Sequence, residues 1–473
     1  MERNIVGRDY EKQRLTELYK SKQPEFAAVY GRRRVGKTFI IREMFDKKIT
    51  FDLVGMAKAT LNEQLTNFTV TLNQTTKKEN PKVKNWLEAF AQLRNFLEKS
   101  DEKRKLVFID EISWLDTKRS GFLSAFEHFW NSWGCVQKDL MLLVCGSATS
   151  WIINKLINNH GGLHNRLTAT IHLRPFTLAE TQKYLKRKKI NCNIQNLSEC
   201  YMITGGVPFY LSKVKKEFSL AQNIDNLFFN KESELKSEFR NLYNSLFDDS
   251  DDYIKIVEVL SKKRKGLTRK EIAEKAKLSS GGTLTERLQN LEYCGFIRSY
   301  STIGKEKRDT IFQLMDNFTL FHFKYLANND FKDEHYWSKN LISTQHNAWA
   351  GNAFEMLMLQ HTGEIKKALE IAGIQSAVYS WRSEKAEDGS QIDLIIDRKD
   401  GMINLCEIKF AQDKFTIKKD YEANLRHKIV TFQEETKTKK AINLILLTTY
   451  GLTNNKYAGI IQNTVTINDI LRL

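Results

Sequence analysis

The sequence is poor in the residues that rigid linkers and cross-linked scaffolds need. It has four prolines in 473 residues and no low-complexity tract, so domain boundaries must be found from changes of pattern. Its six cysteines form no CxxC pair and no spacing with histidine that is typical of zinc. We therefore expect free thiols, a reducing compartment and no structural zinc.

Long apolar runs are also absent. The first residues, MERNIVGRDY, lack the apolar core of a signal peptide, and the longest purely apolar run is LMLLVC at 140–145. The sequence thus predicts a cytoplasmic protein with no membrane span.

Acidic residues are outnumbered by basic ones. The 74 Lys and Arg against 57 Asp and Glu give a net charge of +17, which favours a polyanionic partner such as DNA but also affects solubility. At about 100 to 200 residues per domain, the length predicts about three or four domains.

A glycine-bounded loop follows a short apolar strand near the N-terminus. The stretch FAAVYGRRRVGKTFIIREMF reads as strand, loop and a helix from about Lys37, and it matches the G-x-x-x-x-G-K-[ST] phosphate loop in its required context. Gly31 and Gly36 let backbone amides face phosphate, Lys37 would reach the β and γ phosphates of ATP, and Thr38 would ligate Mg²⁺. The other loop residues expected at the nucleotide are Arg32, Arg33, Arg34 and Val35.

Two further apolar strands end in polar residues. KLVFIDE places Asp110 where it would hold magnesium, directly or through water, and Glu111 where it would deprotonate the attacking water. With this second motif present, a loop that binds nothing is disfavoured. LMLLVCGSATS ends in Ser147 and Thr149, placed to sense the γ phosphate. Ser147 is equally consistent with an ordinary polar loop residue.

Together these motifs resemble the archaeal-type ATPases of the AAA+ superfamily, which are related to the STAND signalling ATPases. The matching stretches are IVGRDYE, GRRRVGKT, LVFIDE, GSATS, NRLTATIHLRPF and TGGVPFYL. The resemblance implies that Gly7 and Arg8 lie by the adenine and that Gly206 and Pro208, in a helical lid, contact the base. It also implies a phosphate-sensing or finger role for Arg166, for which a plain surface position is the alternative.

The pattern changes again after this ATPase-like core, residues 1–178. Residues 179–249 are helical and basic and would form the lid. At 250–326, three short amphipathic helices are followed by two strands around a Gly-Lys turn, an order that predicts a winged helix-turn-helix.

The helix from Thr283 to Glu292 would be the recognition helix of this winged helix. Its Arg287, Gln289 and Asn290 would then lie near base edges in a major groove. The alternative is a packing module that relays the nucleotide state.

A hairpin near the C-terminus carries charged residues where apolar ones are usual. QIDLIIDRKDGMINLCEIKF, residues 391–410, turns at an Asp-Gly pair. Glu407 and Lys409 share one strand face, and Asp393 comes within about a residue of lying opposite Glu407. Upstream, after a connection at 327–347, the apolar helix AWAGNAFEMLMLQH carries Glu355, which lies either on a solvated edge or in a polar site.

The four positions Glu355, Asp393, Glu407 and Lys409 resemble the PD-(D/E)XK nuclease superfamily, with Ile392 in place of the proline. They also resemble the C-terminal domain that accompanies archaeal-type ATPases. The resemblance implies a nuclease-like domain at 348–473. Asp393 and Glu407 would bind Mg²⁺ or Mn²⁺, Glu355 would help directly or through water, and Lys409 would orient the water or stabilise developing charge. A polar hairpin with a weak cross-strand ion pair is the alternative.

The sequence therefore predicts an α/β multidomain protein. Its parts are a P-loop AAA+ parallel-sheet core, a helical lid, a winged helix and a C-terminal restriction-endonuclease-like α/β domain. We expect an ATPase and metal-dependent DNA endonuclease, with a homo-oligomer or a protein partner as further possibilities. The alternatives are a nucleotide-dependent switch or scaffold that binds DNA or protein without cutting, and an ATPase chaperone that never meets nucleic acid.

Overall fold

The computed structural model describes residues 5–158, 161–163, 165–300, 310–383 and 390–472. The chain folds as two compact units, Met1–Pro175 and Phe176–Leu473. Within the described ranges no helix is long and apolar enough to cross a bilayer. All six cysteines are free thiols, as expected.

The first unit is a parallel sheet with helices on both faces. Its elements are α1 (Asp9–Lys20), β1 (Glu25–Tyr30), α2 (Lys37–Phe45), β2 (Ile49–Val54), α3 (Leu61–Thr76), α4 (Trp86–Glu98), β3 (Lys105–Asp110), α5 (Phe122–Ser132), β4 (Leu140–Gly146), α6 (Thr149–Ile152) and β5 (Ala169–His172). The strand order is β2-β3-β4-β1-β5, and each pair of neighbouring strands is parallel. Alternate residues of β1 enter different cores, with Phe26 and Ala28 on one face and Ala27 and Val29 on the other.

The second unit begins with a helical segment. Its helices are α7 (Leu178–Arg187), α8 (Ile194–Thr204), α9 (Pro208–Lys213), α10 (Leu220–Ile224) and α11 (Glu238–Leu246). Thr177 and Glu180 form a reciprocal capping box that fixes the start of α7. These helices occupy the range predicted as a lid.

We call residues 250–314 the middle module. It contains α12 (Ser250–Ser261), β6 (Leu267–Thr268), α13 (Arg269–Ala276), α14 (Gly282–Tyr293), β7 (Ile297–Tyr300) and β8 (Ile311–Leu314). The three strands form an antiparallel sheet in the order β6-β8-β7. The predicted Gly-Lys turn between β7 and β8 lies outside the described residues.

We call residues 344–471 the C-terminal module. After the short helices α15 (Asn317–Phe321) and α16 (Tyr336–Lys339), it contains α17 (Thr344–Gln360), α18 (Thr362–Ala368), β9 (Ser376–Arg382), β10 (Gln391–Arg398), β11 (Met402–Lys409), α19 (Lys419–Thr436), β12 (Ala441–Thr448), β13 (Asn463–Thr466) and α20 (Ile467–Leu471). The sheet order is β13-β12-β11-β10-β9, antiparallel from β9 to β11 and parallel from β11 to β13.

One apolar core connects the helical segment, the middle module and the C-terminal module. It runs from Phe176 through Leu284 to Ile470. The stretch at 327–347, expected as a connection, contributes the fully buried Trp337 to this core. The segments predicted as separate domains at 179–249, 250–326 and 348–473 therefore share one hydrophobic interior.

Candidate functional sites

Three strands of the first unit deliver their polar ends to one edge of its sheet. Strands β1, β4 and β3 are adjacent and parallel, so the segments that follow Tyr30, Gly146 and Asp110 emerge side by side. The glycine-bounded loop, the Asp110-Glu111 pair and Ser147 are thus neighbours although they are far apart in sequence. We call this group the phosphate-loop site.

The loop after β1 needs glycine at both ends. Gly31 has φ +145°, and a Cβ there would lie 2.2 Å from the carbonyl oxygen of Leu173. Gly36, with φ +91°, is the N-cap residue immediately before α2. The Lys37 ammonium is buried and donates to the carbonyl oxygens of Gly31 (2.9 Å) and Arg32 (3.1 Å). The loop is therefore closed around its own lysine, at a helix N-terminus that favours anions.

The remaining loop residues differ in their surroundings. The Val35 side chain packs in the core, so the nucleotide contact expected of this residue would involve its backbone rather than its side chain. Arg32 is buried, Arg34 is half-buried in a left-handed conformation with φ +73°, and Arg33 is exposed.

Asp110 is held by neutral donors. The Thr38 hydroxyl donates to Asp110 Oδ2 at 2.8 Å, and the Cys145 thiol and the Glu111 amide donate to Oδ1 at 2.7 and 2.9 Å. Burial and then the Asp110 carboxylate raise the pKa of Cys145, which keeps the thiol protonated as a donor. Thr38 and Asp110 together present hard oxygen atoms of the kind that Mg²⁺ prefers.

Glu111 is oriented by a residue that the sequence left ambiguous. The backbone amide and the hydroxyl of Ser147 both donate to Glu111 Oε2 at 2.9 Å. Glu111 itself has a left-handed backbone with φ +48°, an uncommon conformation that is frequent at functional sites. Ser147 therefore connects the end of β4 to the carboxylate expected to activate water.

The residues expected around the base and at the finger position are in separate places. In the first unit, Arg8 is buried and donates to the carbonyl oxygen of Arg174 (2.5 Å), with Gly7 in a left-handed turn before it. Arg166 is exposed in the segment before β5.

The expected base contacts of the lid lie in the second unit. A Cβ on Gly206 would lie 2.2 Å from the carbonyl oxygen of Phe176, which gives this glycine a packing role of its own. Pro208 is the first residue of α9, a favourable place for proline.

The C-terminal module brings together the four positions predicted for a hydrolytic site, which we call the acid site. Leu394 pairs with Cys406, so Asp393 and Glu407 take the next position on β10 and β11. The Lys409 ammonium lies 3.1 Å from Glu407 Oε1 on the same strand face. Glu355 is buried on α17, so the solvated edge that was the alternative for this residue is wrong.

Helix α19 adds two residues that the sequence reading missed. Lys428 Nζ lies 2.9 Å from Glu407 Oε2, and the Tyr421 hydroxyl donates to Oε1 at 2.5 Å. Burial acts against ionisation of Glu407, but Lys428 and then Lys409 outweigh it and lower the pKa of this carboxyl. Burial and the Glu407 carboxylate raise the pKa of Tyr421, which keeps its hydroxyl a donor.

A third cation reaches the acid site from the middle module. Arg264, between α12 and β6, forms an ion pair with Glu355 and lies 3.3 Å from Asp393 Oδ2. Gln391 donates to the other oxygen of Asp393. A cavity of about 210 Å³ adjoins Asp393, Glu407 and these cations. Within the described ranges, no three His, Cys, Asp or Glu side chains converge closely enough to hold a metal ion.

The predicted contacts of α14 with DNA bases need correction. Asn290 is buried and donates to the Tyr253 hydroxyl at 2.9 Å, because the apolar face of α14 turns it inward. Arg287 pairs with Asp252 at 2.9 Å and has a mostly covered side chain. Gln289 is exposed, as a base-contacting residue would need to be.

Spacing along α19 could have revealed part of what was missed. Tyr421 and Lys428 are seven residues apart and therefore lie on one helix face. Arg264 carried no local signal, since it lies 129 residues from Asp393 in sequence.

Comparisons with known proteins match stretches that extend into both units. Residues 5–214, which extend through α9, match the model of a family described as an ATPase domain predominantly from Archaea. The uncharacterized protein MJECL04 of Methanocaldococcus jannaschii is 26% identical over 419 residues, which cover 87% of this chain and 88% of that protein.

Two solved structures are also similar to this chain. The Walker-type ATPase PABY2304 of Pyrococcus abyssi is 16% identical with a TM-score of 0.48, and the match covers 68% of this chain and 97% of that one. The ORC2 protein of Aeropyrum pernix is 12% identical with a TM-score of 0.38, and the match covers 76% of this chain and 97% of that one.

Proposed function

We propose that the P-loop ATPase domain matched at residues 5–214 works together with a metal-dependent, nuclease-like acid site directed at DNA. The nuclease-like part of this proposal depends on the convergence of Asp393, Glu407 and Lys409 from two paired strands. Glu355 of α17 lines a cavity together with Asp393. A helix with Glu355, then a strand with Asp393, then a paired strand with Glu407 and Lys409 is the order that the resemblance to PD-(D/E)XK nucleases implies.

In the ATPase half, each polar side chain has a role that follows from its position. Thr38 and Asp110 would hold Mg²⁺, and Lys37 would exchange its loop carbonyls for the β and γ phosphates. Glu111, held by Ser147, would accept the proton of the attacking water. The base contacts of Gly7, Arg8, Gly206 and Pro208 and the finger role of Arg166 belong to the same proposal.

In the acid site, Asp393 and Glu407 would hold Mg²⁺ or Mn²⁺, with Glu355 as a third oxygen donor. Carboxylate oxygens suit these hard cations. A bound metal would lower the pKa of a coordinated water and stabilise charge on a phosphate. Lys409 is positioned to orient that water, and Tyr421 holds the Glu407 carboxylate in place.

DNA as the substrate is proposed from charge and from the middle module. The net charge of +17 favours a polyanion. Three helices and an antiparallel three-stranded sheet are the parts of a winged helix. With Asn290 buried, base contacts would come from the exposed Gln289 rather than from the whole predicted set.

The test is cleavage of plasmid and single-stranded DNA with Mg²⁺ or Mn²⁺, with and without ATP. We expect Asp393→Ala and Lys409→Ala to abolish cutting. Asp397→Ala is the matched control, because Asp397 lies on the same strand and pairs with Lys440 away from the site. Cutting that survives both site substitutions would contradict the nuclease assignment, and cutting indifferent to ATP and to Lys37→Ala would contradict the coupling.

A nucleotide-dependent switch that binds DNA or a protein partner without cutting is the second candidate. It is favoured by the cations of the chain itself, which hold the acid-site carboxylates in ion pairs. DNA or protein binding that needs no metal and survives Asp393→Ala would favour it over the nuclease.

A further inference from the structure

Arg264 occupies a place between the carboxylates of the acid site. Its guanidinium forms an ion pair with the buried Glu355 and approaches Asp393 Oδ2 at 3.3 Å. The Arg264 side chain is 45% exposed, whereas that of Glu355 is 4% exposed. A cation held by two carboxylates from different elements stands where a divalent metal would gather the same oxygens.

Two cavities adjoin the carboxylates of the acid site, and the arginine lines both. One cavity, of about 180 Å³, is lined by Glu355 and Asp393, and the other, of about 210 Å³, by Asp393 and Glu407. Arg264 lines both of them. Asp393 and Gln391 also line both, so Arg264 lies with them where the cavity of Glu355 adjoins the cavity of Glu407.

The loop that carries Arg264 is fixed to the sheet of the middle module. Gln313 donates to the carbonyl oxygen of Arg264 at 2.7 Å, and the Tyr300 hydroxyl donates to that of Lys265 at 2.5 Å. At Gly266, with φ +78°, a Cβ would lie 2.3 Å from the carbonyl oxygen of Phe312. The backbone under Arg264 is thus held by β7 and β8.

A second arginine of the middle module, Arg298, also contacts the C-terminal module near Asp393. Arg298 donates to Gln313 at 2.8 Å and to the Ser380 hydroxyl of β9 at 3.3 Å. Ser380 in turn donates to the backbone carbonyl of Asp393 at 2.7 Å. The middle module therefore contacts the acid site through both the side chain and the backbone of Asp393.

We propose that Arg264 is an internal inhibitor of the acid site, which blocks divalent metal binding as long as its guanidinium is paired with Glu355 and Asp393. The proposal rests on the proposed function, because it regulates the metal site assigned there. The guanidinium and the metal compete for the same oxygens of Glu355 and Asp393. Arg264 is thus a positive charge that the chain supplies to its own site.

Titration of the nucleotide-free full chain with Mn²⁺ by calorimetry tests the proposal. We expect Arg264→Ala to bind Mn²⁺ about tenfold or more tightly than the wild type, the scale on which groups beside metal ligands change affinity. Lys263→Ala is the matched control, since it removes an exposed positive charge from the same loop and should leave Mn²⁺ affinity unchanged. Arg264→Gln is a second variant of similar size that guards against misfolding of the first.

The double variant Arg264→Ala with Asp393→Ala should lose the tighter Mn²⁺ binding of Arg264→Ala. That loss would show that the Mn²⁺ ion binds at the acid site. Mn²⁺ should also raise the Tm of Arg264→Ala more than that of the wild type. If Arg264→Ala and Arg264→Gln bind Mn²⁺ like the wild type, and Asp393→Ala abolishes that binding, the inhibitor role is overturned while the metal site stands. If no variant binds Mn²⁺, the metal site and its inhibition are both overturned.

Discussion

The phosphate-loop site and the acid site both contain two or more carboxylates, but different partners hold them. At the phosphate-loop site the donors are neutral, with Thr38 and Cys145 on Asp110 and Ser147 on Glu111. At the acid site the partners include three cations, Arg264, Lys409 and Lys428. Neutral donors orient a carboxylate without compensating its negative charge, which therefore stays available to a metal ion. In an ion pair, a positive side chain of the protein already compensates that charge.

The largest effect on the phosphate-loop site is expected from Glu111→Gln. This change keeps the hydrogen bonds from Ser147 but removes the base, so ATP hydrolysis should fall by about 10²- to 10⁴-fold while ATP binding persists. Phosphate release and binding of a fluorescent ATP analogue measure the two effects. Glu98→Gln, at an exposed position of α4 in the same unit, should change neither. Loss of ATP binding together with hydrolysis would assign Glu111 a structural role instead.

Removing a cation from the acid site should affect stability and its pH dependence. Lys428→Met removes one of the positive charges that compensate the buried Glu407 carboxylate. The second unit should therefore be less stable by about 1–3 kcal/mol at pH 7, which a lower Tm would show. Because the folded pKa of Glu407 is lowered from 4.5, the stabilisation is fully present above about pH 4.5 and is lost as pH falls through the folded pKa. The Tm difference from the wild type should therefore shrink below pH 4.5.

The matched control for this experiment is Lys440→Met, which breaks the half-exposed pair with Asp397. Such a pair contributes about 0–1 kcal/mol, so the change in Tm should be smaller. A Tm difference for Lys428→Met that stays constant from pH 7 to pH 3.5 would show that packing, not the ion pair with Glu407, accounts for it.

The smallest expected effect comes from Cys145, one of the neutral donors to Asp110. Cys145→Ala removes one donor to Asp110, which corresponds to about 0.5–1.5 kcal/mol and so to about a two- to tenfold loss of ATP hydrolysis. The Mg²⁺ concentration for half-maximal rate should rise as well. Cys145→Ser retains a donor and should restore much of the loss. Equal rates and equal Mg²⁺ dependence in all three proteins would remove Cys145 from the positioning of Asp110.

Local patterns predicted the phosphate-loop site because its residues lie at fixed spacings in a strand, a loop and a helix. The same holds for Asp393 and Glu407, whose strands flank a recognisable Asp-Gly turn. Asn290 was misplaced because the apolar spacing of α14 did not show which polar residue turns inward toward Tyr253. Arg264 could not be found, since only the packing of the middle module on the C-terminal module brings it to Asp393.

The ion pairs of Arg264 join two equilibria that would otherwise be independent. If Arg264, docked on Glu355 and Asp393, weakens metal binding by some factor, bound metal must weaken that docking by the same factor, because binding free energies around a cycle are reciprocal. A metal at the acid site would then be a ligand that reports whether Arg264 is docked, as well as a group for catalysis.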